Sequence, residues 1–98
     1  MAADFYKLAD AVETEADFLD FLVALRDDRI YEVEQEKKNP RSPWGPGANG
    51  WENGSIEAFI DAAHAWGSAS VDGSDLNEKP ENPWQRAARI IHAGKFYE

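Results

Sequence analysis

The chain has no cysteine, which excludes a disulfide framework and any thiolate metal site and is compatible with a reducing cytoplasm. No stretch approaches the roughly 20 apolar residues that a membrane-spanning helix needs. The opening MAADFYKLADAV lacks a basic segment followed by an apolar run, so no signal peptide is read. Sustained period-two alternation is missing as well, which leaves no strand signal. Cations are scarce: 10 Lys and Arg stand against 19 Asp and Glu, for a formal charge of -9. Such a surface repels nucleic acid and anionic membranes, whose recognition needs a cationic footprint. It speeds encounter with a basic protein instead, or simply maintains solubility. These absences predict a cytoplasmic single domain over residues 1–98 with no membrane or nucleic-acid partner.

What is present is helical spacing. A short first helix is expected over 4–12, with Phe5, Leu8, Ala9 and Val12 on one face. Thr14 with Asp17 forms a near capping box for a long second helix over 15–38. Its buried stripe is expected at Phe18, Phe21, Leu22, Leu25 and Val33, widened by Leu19, Val23 and Ile30. Acids at its start and Lys37 and Lys38 at its end suit the helix dipole. Asn39-Pro40 then stops it, because proline disfavours helix in the residue before it. Ser55 caps a third helix reaching about residue 70, with Ile56, Phe59, Ile60, Ala63, Trp66 and Gly67 as its stripe. Asn82 caps a fourth, with Pro83 at its first position. Trp84, Ala87, Ala88, Ile90 and Ile91 form its apolar side, and Gly94 is placed as its C-terminal cap. The fold class is therefore all-α, a compact domain of about four helices.

Between the second and third helices lies NPRSPWGPGANGWENG, residues 39–54. It holds three of the five prolines, four of the seven glycines and two of the four tryptophans. Prolines and glycines exclude helix here, yet Trp44 and Trp51 are too apolar for a passive linker. Two tryptophans alone do not offset the entropy of ordering so long a loop. Prolines lessen that cost through the unfolded chain, and Asn49, Asn53 and Ser42 can bond the backbone in turns. Anchored ends near Trp51 and a freer middle over 45–50 follow. The loop can serve as a plug on the helical core, as a partner-binding edge with exposed tryptophan anchors, or as an anion nest beside Arg41. The partner-binding candidates are Arg41, Trp44, Trp51, Glu52 and Asn53.

Catalytic chemistry is thin. His64 has Asp61 one turn back on the third helix, but the pair fits no metal-binding spacing and lacks a third ligand. His92 falls near a helix C-terminus, which favours a charged imidazole. No serine has an adjacent base. No catalytic residue, metal ligand or cofactor is assigned. His64 and Trp66 remain pocket candidates, for a pocket between the loop and the third helix. Arg86, Arg89 and Lys95 reverse the charge near the C-terminus, and pairing with carboxylates of the second helix is their expected use.

Trp51-Glu52-Asn53, Ile56-x-x-Phe59-Ile60-x-Ala62-x-x-x-Trp66, Asn82-Pro83-Trp84-x-x-x-Ala88 and Ile90-Ile91-x-Ala93-x-Lys95-x-Tyr97-Glu98 run through most of the chain. So do Tyr6-x-Leu8-Ala9-Asp10 and Phe18-x-x-Phe21-Leu22. Together they resemble a family of small, mostly bacterial proteins classed as a domain of unknown function. The resemblance implies a helical, cytosolic bacterial protein without an established activity. Small acidic proteins of this kind also look like immunity proteins that neutralise secreted toxins. The expected function is a non-enzymatic, acidic protein-binding module with an immunity- or antitoxin-like role. The alternative is a small enzyme or ligand-binding domain.

Overall fold

In the computed structural model, residues 4–38, 49–71 and 79–97 are described. They form four helices: α1 (Phe5–Asp10), α2 (Glu15–Lys38), α3 (Ile56–Ala69) and α4 (Pro83–Phe96). No strand occurs among the described residues, so the all-α expectation holds. None of the helices is long and apolar enough to cross a membrane.

Local chemistry sets where each helix begins. The Asp4 carboxylate accepts from the Tyr6 and Lys7 amides and starts α1. Thr14 Oγ1 accepts from the Asp17 amide, while Asp17 Oδ2 accepts from the Glu13 and Thr14 amides. That reciprocal box starts α2. Ser55 Oγ accepts from the Ala58 amide at α3. Asn82 Oδ1 accepts from the Trp84 and Gln85 amides at α4, with Pro83 at its first position. Such caps contribute about 1 kcal/mol each.

Helix α4 is the hub: it packs against α1, α2 and most extensively α3, while α2 and α3 make no direct helix-to-helix packing. Its start is tied to the α1–α2 turn by two long-range bonds. Asn82 Nδ2 donates to the Glu13 carbonyl and Gln85 Nε2 to the Asp10 carbonyl. The core joins Phe5, Ala9 and Val12 to Phe21, Leu25 and Ala88, with Phe18, Trp51, Phe59, Trp84 and Ile91 packed around them. Phe5 meets Phe21 edge-on and Phe18 lies against Trp84.

Four expectations need correction. Helix α1 is shorter than 4–12, because Val12 already belongs to the turn. In α2 the buried arc is Phe21 and Leu25, continued by Asp28 and Glu32. Leu19, Val23 and Ile30 do not widen it but are 53%, 47% and 49% exposed, with Leu22 at its margin. Ile56 and Ile60 of α3 likewise point outward. Finally, Gly94 is no cap: α4 continues to Phe96, Tyr97 closes it, and Gly94 is buried.

Candidate functional site

Continuing the apolar arc of α2 by Asp28 and Glu32 places two carboxylates in the interior, each 8% exposed or less. Buried carboxylates require donors, and the chain brings them from three segments. From α4, Lys95 Nζ donates to Asp28 Oδ2 at 2.8 Å. From the segment before α3, Trp51 Nε1 donates to the same oxygen at 2.8 Å and Asn49 Nδ2 to Oδ1 at 2.8 Å. Glu32 Oε1 accepts from the backbone amides of Asn49 and Trp51, and Oε2 from Arg29 Nη1. Gly50, between those amides, has φ of 81°, the left-handed conformation glycine adopts without strain. That turn lets the two amides converge on one oxygen.

The Lys95 ammonium also lies over the rings of Phe5 and Trp51, at 4.9 and 5.6 Å from their centroids. Arg29 also lies over Trp51, 5.3 Å from its centroid. Asn53 completes the closure: its Nδ2 donates to the carbonyls of Gly94 and Tyr97, and the Glu52 and Asn53 amides donate to the carbonyl of Lys95. No buried side-chain polar atom among the described residues is left without a partner. The cluster is a lock that fastens the entry to α3 onto α2 and α4.

The second feature is a groove of about 440 Å³ between α1, the end of α3, residues 79–80 and α4. Arg86 stacks on Trp66 at 5.2 Å. Its Nη1 donates to Ser70 Oγ and its Nη2 to the Gly67 carbonyl, where α3 ends. Burial, and secondarily Arg89, lower its pKa. Arg89 donates through Nε and Nη2 to Asp10 Oδ1. His92 is 7% exposed and ringed by Tyr6, Phe96 and Phe5. Burial, and then the charge of Lys95, push its pKa down to about 4 against the pull of Asp4 and Asp28. Contrary to the helix-terminus expectation, this imidazole is neutral at pH 7.

That shift gives a stability prediction with a definite sign. Above the unfolded value near 6.5, both states hold neutral His92 and stability is complete. As pH falls toward 4, the unfolded chain takes the proton first and folding weakens. A loss of about 1–2 kcal/mol by pH 5 is expected, the lower value allowing for solvent that reaches the ring. Urea midpoints at pH 7 and pH 5 measure it, and His92→Phe should flatten the difference between them.

The residues picked from sequence disperse across these features. Trp51 and Asn53 belong to the lock, whereas the Glu52 side chain is exposed and contributes its backbone amide. Arg41 and Trp44 lie outside the described residues, as does most of the 45–50 stretch, of which Asn49 is anchored at Asp28 and Glu32. His64 is exposed, 3.4 Å from Ser68 Oγ, and does not line the groove. Trp66 does line it, though the groove lies on the side of α1 and α4. Of the C-terminal cations, Lys95 pairs with α2 as expected, but Arg89 pairs with α1 and Arg86 serves the end of α3. In the sequence Asp27 and Asp28 look alike and solvated; the structure buries Asp28, together with Glu32, in helical phase with Phe21 and Leu25.

Three helices gathered on α4 and closed by a buried ion pair define a small all-helical domain. Residues 14–98 match the model of a family of unknown function, DUF7660, and the chain belongs to that family. No curated protein and no solved structure matches it significantly.

Proposed function

We propose that this chain is a non-enzymatic protein-binding module that receives a basic amphipathic helix along the outer face of α2. The observation that carries the reading is the exposed row Leu19, Val23, Arg26 and Ile30, at spacings of four, three and four. That is the seam periodicity of paired helices. Beside it Asp20, Asp27 and Glu34 recur every seven residues, all exposed, in the position where a partner's Lys or Arg would sit. A second copy is a poor occupant, since two such flanks repel each other. When the partner is a basic toxin, this arrangement has an immunity-like role.

The test is titration with a synthetic heptad helix carrying Leu at its seam and Lys on its flanks. Binding should weaken at least about 10-fold in Val23→Glu/Ile30→Glu, while stability shifts by no more than about 0.5 kcal/mol, as for other exposed positions. The same helix with Glu flanks should not bind, and raised salt should weaken the Lys form. Binding indifferent to the double variant defeats the proposal. So does self-association that the double variant abolishes.

A further inference from the structure

Among the described residues, this groove in an acidic chain gathers positive charge beside an open aromatic surface. Of those residues, Lys79, Arg86 and Arg89 border it against the single carboxylate of Asp10, and Tyr6, Trp66 and Phe96 supply ring faces. Its volume of about 440 Å³ lies within the range of small-molecule sites.

His92 supplies the independent observation. The residue is more than nine-tenths buried, yet its ring nitrogens make no hydrogen bond to the described residues. None of those residues holds a sealed, unpartnered side-chain nitrogen or oxygen. The ring nitrogens therefore reach open space, and the space His92 borders is the groove. Nitrogens placed this way can bond whatever occupies the groove, one as donor and the other as acceptor. Arg86 commits two of its five N–H donors to Ser70 and Gly67, so others remain for a ligand. Its guanidinium lies over the Trp66 ring, and arginine is the side chain best suited to a planar carboxylate.

We propose that the groove binds a small aromatic carboxylate. Its acid group lies at Arg86 and Lys79, its ring lies between Trp66, Tyr6 and Phe96, and a polar substituent meets the imidazole of His92. The site is separate from the outer face of α2 and does not depend on how that face is used.

The experiment uses the full chain and two probes: indole-3-acetate and its neutral isostere indole-3-acetamide. Binding is followed by calorimetry and by NMR of the His92 ring and Arg side chains. The acid should bind about 10-fold or more tighter than the amide, because the charge-assisted bonds to Arg86 are lost in the amide. Shifts should concentrate at Tyr6, Trp66, Arg86 and His92. Lys79→Gln, at an exposed position that leaves folding intact, should weaken the acid about 3-fold and leave the amide unchanged. His92→Phe should weaken both. Equal affinity for acid and amide overturns the proposal, and so do shifts spread along α2 or no binding of the acid at millimolar concentration.

Discussion

Replacing Lys95 by Met is expected to cost about 3–5 kcal/mol, because it leaves the Asp28 carboxylate buried without its counter-ion. Set against a typical total stability of about 5–15 kcal/mol, this is a large fraction. Two donors remain on Asp28, from Trp51 and Asn49, but neither carries charge. The companion variant separates the buried charge from the lost packing. Adding Asp28→Asn to Lys95→Met removes the orphaned charge and keeps an acceptor for the indole N–H, while the Asn49 amide can reverse to accept from the amide introduced opposite it. About 2 kcal/mol should return relative to Lys95→Met alone. Urea unfolding of the wild type, both single variants and the double variant closes the cycle. A Lys95→Met variant within about 1 kcal/mol of wild type would contradict the assignment of the pair as the lock.

The expected size reflects what the pair joins. Helices α2 and α3 do not pack on each other, so the entry to α3 is held to α2 through Asn49 and Trp51 and to α4 through Asn53. With Lys95 absent, the oxygen shared with Trp51 Nε1 loses its charge partner, and the ring loses the cation above it. One substitution therefore loosens three segments together.

The lock also shows what kind of information a sequence carries openly. Thr14 with Asp17, Ser55 and Asn82-Pro83 were legible as helix starts because each cap is made within three residues of itself. Asp28 and Lys95 were not, because their partnership spans 67 residues and nothing local distinguishes a buried carboxylate from a solvated one. Asp27 and Asp28 are adjacent and identical in type; only the helical phase shared with Phe21 and Leu25 separates them. That phase was itself ambiguous, since α2 carries apolar residues on two arcs. Phe21 and Leu25 went inward with the aromatic core, and Leu19, Val23 and Ile30 were left outward. Periodicity alone gives the spacing of each arc but not which one faces α4. The groove was hidden for the same reason, as Arg89 meets Asp10 across 79 residues.

Gly94→Ala is expected to destabilise the domain by about 2 kcal/mol, against the ordinary gain of about 1 kcal/mol for replacing glycine within a helix. A Cβ at Gly94 would stand 2.9 Å from the Phe59 ring and 2.9 Å from the Phe59 carbonyl oxygen. The ring can turn, but the carbonyl belongs to the α3 backbone, so α3 and α4 must part. Overpacking of this kind costs about 1–3 kcal/mol, occasionally more. Here the displacement also strains the bond from Asn53 Nδ2 to the Gly94 carbonyl. Gly67→Ala is the internal comparison on the same helix pair. Its nearest neighbours are Ile90 atoms at 3.6 Å, ordinary contact, so that variant should gain about 0.5–1 kcal/mol from helix propensity. Thermal and urea unfolding of the two variants should therefore move in opposite directions. If both stabilise, the close approach of α4 to Phe59 is not what holds glycine at position 94.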